Sequence, residues 1–300
     1  MENALLRGVA WASASALGSA AFMIPWKLAT LHGEPKDLVL VLLLSAAIFN
    51  TIALPLSRRS EIRRWSAKAV WISIGLAFVT LLGNEASAAA ISRISGPLLS
   101  VLQRFEVVIV GLLAWLVLAE RPSLGFWIGA ALASLGVLLT QGGASAPAHV
   151  SGILYALLAA ASFAGMAVLT RRFIEDIEPM GVNALRLWLS VLCWVAYHGE
   201  LPAIWRLPPT LIAYGALAAL VGPFLGRLFF MYALRHVEAR IAALCVLLAP
   251  PGTLALSWAI LGDIPTPTEI LGGAVILVGV AIPIAESGRR RYAERSRAAA

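Results

Sequence analysis

The chain has 300 residues, of which 60% are hydrophobic and only 13% carry a charge, and its formal net charge is +7. A soluble domain carries about 25% charged residues, so this composition excludes an ordinary soluble protein. The basic excess does not indicate nucleic-acid binding, because the basic residues collect on one side of the membrane topology that the sequence predicts.

Long apolar segments follow one another along the chain and predict ten transmembrane helices. About 18 or more apolar residues can cross a hydrocarbon layer as a helix. Turn-forming sequences such as His32-Gly33-Glu34-Pro35 and Pro265-Thr266-Pro267 separate the segments. The first segment lacks a signal-peptide cleavage pattern and is expected to be retained. The predicted spans are 7–27, 37–57, 68–91, 96–119, 124–141, 151–171, 181–198, 209–234, 239–262 and 268–285.

The distribution of basic residues predicts which side of the membrane each loop faces. With the N-terminus in the cytoplasm, the cytoplasmic segments hold about 16 lysines and arginines and the opposite side about four. Cytoplasmic loops typically carry this excess. We therefore expect a multi-pass protein of the inner (plasma) membrane. Both termini, including a basic tail at residues 289–300, are predicted to be cytoplasmic.

The two halves of the chain repeat each other. An offset of 143 residues places Asp263-Ile264-Pro265 on Glu120-Arg121-Pro122, and Gly272 on Gly129. Each half holds five predicted spans, and an odd number forces the second copy to enter the membrane from the opposite face. We predict two inverted five-helix repeats, residues 1–143 and 150–288, with the substrate site between them. The glycines of the fifth spans predict close helix packing, either within one fold or in a homodimer.

Both copies carry a segment that resembles a known family. Residues 112–123 (LLAWLVLAERPS) followed by Gly129-Ala130-Ala131, and again residues 260–280, resemble the EamA-type repeat of the drug/metabolite transporter superfamily. The resemblance covers essentially the whole chain. It implies an all-α integral membrane protein with ten transmembrane helices, in which the first four helices of each inverted repeat surround a central cavity. It also implies transport, because bacterial members are mostly exporters of amino acids, metabolites or drugs, while some relatives import vitamins or exchange metabolites.

Ionisable residues inside the predicted spans are candidates for function, because each costs about 2.5–3.5 kcal/mol at the centre of a span. A short turn joins spans three and four, so Glu85 is expected near Gln103 and Arg104, with Glu106 deeper in the membrane. A buried carboxylate there can exchange a proton or bind a cationic group of a substrate, which favours Glu106. The candidate binding or gating residues are Asn84, Glu85, Gln103, Arg104, Glu106 and Arg227.

Structural roles remain open for several of these residues. Glu85 and Arg104 could form a fixed ion pair between spans three and four. Arg186 and Arg227 fall in the cytoplasmic half of their spans, where a long side chain can extend to the lipid headgroups. The sequence alone does not decide between these roles and a role in binding.

Helix-breaking residues point to the same region. Pro223 lies one turn before Arg227 and is expected to kink span eight. Pro250, Pro251 and Gly252 are expected to break span nine near its middle. Because backbone groups freed inside a membrane need a cavity or a ligand, such breaks indicate a binding site.

The leading functional hypothesis is a secondary transporter, an exporter of a small polar or zwitterionic metabolite such as an amino acid or an amine, that works by alternating access. Spans one, three, four, six, eight and nine are expected to line the cavity, and protons are a candidate coupling ion. The alternative is a flippase or exporter of lipids or amphipathic drugs with the same fold. An enzyme is not expected, because the sequence lacks H-E-x-x-H, G-x-S-x-G and P-loop patterns. Neither a metal nor another cofactor is expected, since the two cysteines lack metal-ligand spacing.

Overall fold

The computed structural model describes residues 2–56, 66–91, 93–94, 99, 102–140, 149–199, 206–261 and 266–299. Regular structure throughout these ranges is helical. We number the helices α1 (Glu2–Thr30), α2 (Pro35–Ala53), α3 (Ala67–Ile91), α4 (Phe105–Leu118), α5 (Leu124–Thr140), α6 (Val150–Arg172), α7 (Pro179–His198), α8 (segments Pro209–Ala219, Leu220–Gly226 and Arg227–Leu234), α9 (segments Ala239–Val246 and Ala249–Leu261) and α10 (Pro267–Ala299).

The ten helices confirm the predicted all-α membrane fold. In the described part of the chain, eight helices are long and apolar enough to cross a membrane, and α4 and α5 are shorter apolar helices. Much of the first half of predicted span four, around residues 95–101, lies outside the described residues. Helix α10 continues without interruption into the predicted basic tail.

The packing of the helices follows a two-fold relation between the repeats. Helix α1 packs on α8 and α9, and its counterpart α6 packs on α3 and α4 in the same way. Helices α2 and α7, α4 and α9, and α5 and α10 pack against their own counterparts. Exchanging the repeats therefore exchanges one set of contacts for the other, as two inverted five-helix repeats require. The connection at residues 141–148 lies outside the described residues, so the predicted domain boundaries stay predictions.

The second helix of each repeat begins with the same local sequence. Glu34-Pro35 and Glu178-Pro179 lie 144 residues apart, and each proline opens a helix. Proline is well tolerated there because its missing N–H has no acceptor within the helix anyway. The Glu178 carboxylate accepts hydrogen bonds from the backbone N–H groups of Met180 and Gly181, which satisfies two free donors at the start of α7. This repeated Glu-Pro pair is a further sign of the internal duplication.

The fifth helices pack closely on each other through their glycines. A Cβ atom on Gly136 would stand 2.6 Å from the carbonyl oxygen of Gly272, and one on Gly279 would stand 2.6 Å from the backbone nitrogen of Ala133. Only a residue without a side chain allows backbones to approach so closely. The glycine-bearing faces of α5 and α10 are therefore covered within one chain. A homodimer stays a prediction that these glycines do not support.

Candidate functional site

A cavity of about 230 Å³ lies between the two repeats. The first four helices of each repeat line it, α1 to α4 and α6 to α9, as the family resemblance implies. The predicted lining was incomplete, because it omitted α2 and α7. The first contributes Leu42 and Leu43 and the second Arg186 and Leu187. Leu42 and Leu43 are apolar, so polarity within the spans gave no sign that α2 faces a cavity, whereas the charge of Arg186 was such a sign on α7.

The residues that line the cavity are largely repeat counterparts of one another. An offset of 144 relates those on the first two helices of each repeat, and an offset of 143 those on the third. The cavity therefore lies on the pseudo-two-fold axis, where the site of an inverted-repeat transporter is expected. The pairs are Ser19 with Phe163, Phe22 with Met166, Leu42 with Arg186, Leu43 with Leu187, Thr80 with Pro223, and Asn84 with Arg227.

Glu106 lies in the first turn of α4 and lines the cavity. The turn at Arg104 interrupts span four just before it, and the repeat counterpart of Arg104 is Leu247, where span nine is interrupted as well. A carboxylate is favourable at the N-terminal end of a helix because of the helix dipole. Glu106 also interacts electrostatically with Arg104 and Arg227. The carboxylate is thus held near the axis by a helix start and by opposite charge.

Arg227 opens the last segment of α8 and also lines the cavity. Its Nη2 atom lies 3.4 Å from the carbonyl oxygen of Met166 and 3.3 Å from Oγ1 of Thr170. The guanidinium carbon lies 5.1 Å from the centre of the Phe230 ring, within the range of a cation–π contact. The Arg227 side chain therefore extends from α8 to α6, along the wall of the cavity.

The helix before Arg227 contains a π-helical segment where the sequence predicted a simple kink. Residues Leu220–Gly226 form a π-helical segment with Pro223 inside it. Proline lacks an N–H and its ring clashes with the carbonyl of the preceding turn, so widening the turn accommodates it. π-Helical segments occur frequently at functional sites, and Gly222, Pro223 and Gly226 all line this cavity.

Arg186 is buried in the site and does not extend to the lipid headgroups, so that alternative is wrong. Its side chain is 3% exposed, and it donates hydrogen bonds to Oγ1 of Thr80 at 2.6 Å and to Oδ1 of Asn183 at 2.6 Å. Asn183 donates in turn to Oδ1 of Asn50 at 2.9 Å. This polar network joins α2, α3 and α7 beside the cavity and gives the guanidinium group acceptors within the membrane.

The other predicted site residues divide into two groups. Asn84 lines the cavity, and its Nδ2 atom donates to the carbonyl oxygen of Thr80 at 2.7 Å. The carboxylate of Glu85 lies 3.4 Å from Nε2 of His198, which is on α7 of the other repeat. Gln103 donates to Oγ of Ser87 at 3.0 Å. Glu85, Gln103 and Arg104 are not among the residues that line the cavity, and their predicted binding or gating roles stay predictions.

The predicted break in span nine is present, but it precedes the prolines. The helix is interrupted at Leu247 and Leu248, and Pro250 and Pro251 lie in the first turn of the next segment. A first helical turn accepts proline because its N–H groups lack intrahelical acceptors. Gly252 faces α1, where a Cβ atom would stand 3.1 Å from that of Ala20. Val246 is the residue of α9 that lines the cavity. The Pro-Pro-Gly sequence therefore lies beside the site and not in it.

Sequence reasoning also missed three hydroxyl-bearing residues that line the cavity, namely Ser15, Ser19 and Thr80, and it predicted Asn84 without its neighbour Thr80. Ser15 and Ser19 lie one turn apart on α1, and Thr80 and Asn84 one turn apart on α3. A spacing of four places two side chains on one helix face. This pattern within otherwise apolar spans was the signal that would have located the polar face of each helix.

Polar contacts join the helices near both of their ends. Beyond α4, Glu120 pairs with Arg171 at 3.3 Å, and Arg171 also donates to the carbonyl oxygen of Leu234 at 2.6 Å. Burial raises the pKa of the Glu120 carboxyl group, and the nearby Glu238 adds to this rise against the attraction of Arg171. At the opposite end, Glu85 and His198 join α3 to α7.

The chemistry of these residues suits the binding of a charged solute. The cavity offers a carboxylate, two guanidinium groups, three hydroxyl groups and one amide group. Within the described ranges, His, Cys, Asp and Glu side chains form no group of three that could hold a metal ion.

Comparisons with known proteins agree with this architecture. The model of the EamA-like transporter family matches residues 6–141 and 150–284, one copy in each repeat. The chain is 28% identical over 288 residues to the uncharacterized transporter YdfC of Bacillus subtilis (strain 168), covering 93% of this chain and 89% of that one. It is 29% identical over 189 residues to the uncharacterized transporter YwfM of the same organism, and the match spans 62% of this chain and 64% of YwfM.

A crystal structure shares the whole fold. It superposes with a TM-score of 0.75 at 19% sequence identity, covering 97% of this chain and 98% of the other. At this identity the likeness establishes the ten-helix fold alone. Together with the family match over both repeats, it leads to one conclusion: the chain is a membrane transporter that belongs to the EamA-like transporter family.

Proposed function

We propose that the protein is a secondary carrier that exports a small polar or zwitterionic metabolite by alternating access. The observation that carries this proposal is the central cavity. It lies on the pseudo-two-fold axis and brings Glu106 of the first repeat together with Arg186 and Arg227 of the second. Opposite charges in one cavity complement a solute that carries both a cationic and an anionic group.

The size of the cavity favours a metabolite over an amphipathic drug or a lipid. Sites for drug-sized ligands enclose about 300–1,000 Å³. The cavity here encloses about 230 Å³. Its charged and hydroxyl-bearing lining also favours a polar solute over an acyl chain, which gains nothing from such groups.

Alternating access requires the contacts at the two ends of the cavity to break in turn. One set consists of the Glu120–Arg171 ion pair, which links the two repeats, and the hydrogen bond from Arg171 to the carbonyl oxygen of Leu234, which joins α6 to α8 within the second repeat. The other consists of Glu85 with His198, and of Arg93 over the ring of Tyr155 at 5.1 Å. Each set is small enough to be replaced by contacts with water when that end opens.

The direction and the coupling ion complete the proposal. The bias of basic residues supports a cytoplasmic position for the end at Glu120 and Arg171 and for both termini, in an inner (plasma) membrane. Export rests on the resemblance to family members that are exporters. Protons are the proposed coupling ion, with Glu106 binding either a proton or the cationic group of the solute.

Transport by purified protein in liposomes tests the proposal. Uptake of radiolabelled amino acids and amines is measured with an inward and an outward pH gradient, for the wild type, for Glu106→Gln and for the exposed control Glu175→Gln. We expect Glu106→Gln to lower the flux at least tenfold and to remove its pH dependence, while the control retains both. Unchanged flux in Glu106→Gln would contradict the role of this residue. Movement of a fluorescent lipid without any solute flux would favour the flippase.

A further inference from the structure

The two arginines of the cavity each keep a donor unused. The Nε atoms of Arg186 and Arg227 are fully buried, and neither has a hydrogen-bond partner in the part of the chain that the structure describes. A buried donor without an acceptor is costly, and native proteins leave few of them. Both donors belong to residues that line the cavity, where a bound solute can supply the missing acceptors.

The contacts that the two arginines do make fix them side by side. Arg186 donates through Nη1 to the sulfur of Met166 at 3.4 Å, and Arg227 donates through Nη2 to the backbone oxygen of the same residue at 3.4 Å. The two guanidinium groups also interact electrostatically. Met166 itself lines the cavity. Both guanidinium groups therefore contact the same residue of the cavity wall on α6.

The charges that line the cavity do not balance. Arg186 and Arg227 contribute two positive charges, and Glu106 contributes one negative charge. Glu106 is moreover shared, because it interacts with Arg104 as well as with Arg227. Positive charge inside a membrane needs compensation by a counter-charge or by water. An anionic group in the cavity would compensate the arginine that Glu106 does not.

We propose that Arg186 and Arg227 form a carboxylate subsite, and that the solute must carry a carboxylate to be bound. The inference rests on the proposed carrier function and narrows its substrate class from amino acids or amines to amino acids. Arginine suits this task because its Nε and Nη donors form a planar fork that matches the two oxygens of a carboxylate. The amino group of the same solute then lies towards Glu106.

Two asparagines position the subsite without touching the solute. Asn183 accepts from Nη2 of Arg186 and is held by Oδ1 of Asn50, and both asparagines are fully buried. Thr80 and Met166 accept from Nη1 of Arg186, and Asn183 accepts from one of the two N–H groups of Nη2. The Nε–H and the second N–H of Nη2 are therefore the donors available to a ligand.

Binding to the purified protein tests the subsite with matched probes. L-Leucine, leucinamide, 3-methylbutylamine and 4-methylpentanoate share one side chain and differ in their charged groups, and the same sets are used for alanine, phenylalanine and glutamate. Thermal stability in detergent is recorded for each probe, and for potassium phosphate as a plain anion. We expect at least one amino acid to raise the melting temperature. Its amide and its amine should bind at least tenfold more weakly.

Variants assign the effect to the two arginines. Arg186→Gln and Arg227→Gln should each weaken the binding of that amino acid at least tenfold, and Arg186→Lys and Arg227→Lys should give intermediate losses because the charge stays and the fork is lost. Arg172→Gln removes an exposed arginine at the end of α6 and should bind as the wild type does. The lysine variants keep the test decisive if a glutamine variant does not fold.

The outcomes separate this subsite from the carrier function. The carboxylate subsite is overturned if no carboxylate probe stabilises the wild type, if an amide or amine binds as tightly as its amino acid, or if phosphate is as effective as the amino acids. Flux of amines in liposomes without carboxylate binding would overturn the subsite and leave the carrier standing. Carboxylate binding without any flux would overturn the carrier function and leave the subsite standing.

Discussion

Glu106 and Arg227 lie on different repeats, line the same cavity and attract each other across it. Their repeat counterparts are the uncharged residues Ala249 and Asn84. The cavity therefore has a two-fold arrangement of helices but a one-sided arrangement of charge. A solute with two different ends can be bound in one orientation in such a site, whereas a fully symmetric site would not distinguish its ends.

The attraction between Glu106 and Arg227 predicts non-additive losses of stability. Removing one of two opposite charges that face the same cavity inside a membrane leaves the other without its counter-charge, which is costly. We expect Glu106→Gln to lower the free energy of unfolding more than Arg227→Gln does, because the first variant leaves two cavity arginines without a carboxylate. The double variant should fall short of the sum of the single losses by about 0.5–3 kcal/mol. Unfolding in mixed micelles measures all three.

The matched control for this cycle is Arg172→Gln, which removes an exposed arginine at the end of α6. Its loss should add to that of Glu106→Gln, because Arg172 lies outside the cavity and does not share its contacts. Additive losses in the cycle of Glu106 and Arg227 would show that the two side chains do not interact.

The raised pKa of Glu120 predicts a pH-dependent stability at the predicted cytoplasmic end. Burial and the neighbouring Glu238 raise the pKa of the Glu120 carboxyl group in the folded state above its ordinary value of 4.5. The resulting stabilisation is complete below that ordinary value and is lost as the pH rises through the folded-state pKa. Between pH 4.5 and 8, the melting temperature of the wild type should therefore fall relative to that of Glu120→Gln, which has no carboxyl group to ionise.

Glu175→Gln serves as the control for Glu120, because Glu175 is an exposed acid at the same end of the helices. Its melting curves should run parallel to those of the wild type across this range. A wild type that gains stability over Glu120→Gln with rising pH would show that the attraction of Arg171 outweighs the burial of Glu120.

The sequence predicted the fold well because its signals are strong and repeated. Apolar spans, the excess of basic loops and the offset between Glu120 and Asp263 all follow from the requirements of a bilayer. The glycines of α5 and α10 were equally informative, since close backbone contact leaves few other choices. Each of these signals depends on chain-wide periodicity and needs no knowledge of a neighbour in space.

The site was predicted only in part because its residues act through neighbours that the sequence does not reveal. Arg186 could be placed at the headgroups or in the cavity until Thr80 and Asn183 showed where its acceptors lie. The short turn between spans three and four predicts Glu85 near Gln103, but its partner His198 comes from the other repeat. The sequence shows that a charged residue lies within a span. The residue that it contacts depends on how the two repeats pack against each other.

The close packing of α5 on α10 predicts opposite effects for two glycine substitutions. A Cβ atom on Gly136 would stand 2.6 Å from the carbonyl oxygen of Gly272, and a backbone atom cannot yield as a side chain does. We expect Gly136→Ala to lower the free energy of unfolding by about 1–3 kcal/mol. On α6, a Cβ atom on Gly165 meets nothing within 4 Å, so Gly165→Ala should be neutral or stabilise the helix by up to about 1 kcal/mol.

The two variants are compared by the same unfolding measurement in mixed micelles. Since both change glycine to alanine within a long helix, the intrinsic helix preference changes equally, and the difference between them reports the packing. Equal effects would show that α5 and α10 are not in close contact. If Gly136→Ala lost stability only above a certain protein concentration, the contact would lie between two chains.

The bias of basic residues predicts which end of the cavity faces the cytoplasm, and single cysteines test it. Cys193 and Cys245 are first replaced by Ser and Ala. Glu34→Cys then lies in the α1–α2 connection, and Glu175→Cys lies between α6 and α7, both at exposed positions. In intact spheroplasts a membrane-impermeant maleimide should label Glu34→Cys at once. It should label Glu175→Cys only after the membrane is permeabilised, because the basic loops stay inside. The reverse pattern would place the Glu120–Arg171 pair on the outer side, and the proposed direction of export would then have to be reversed with it.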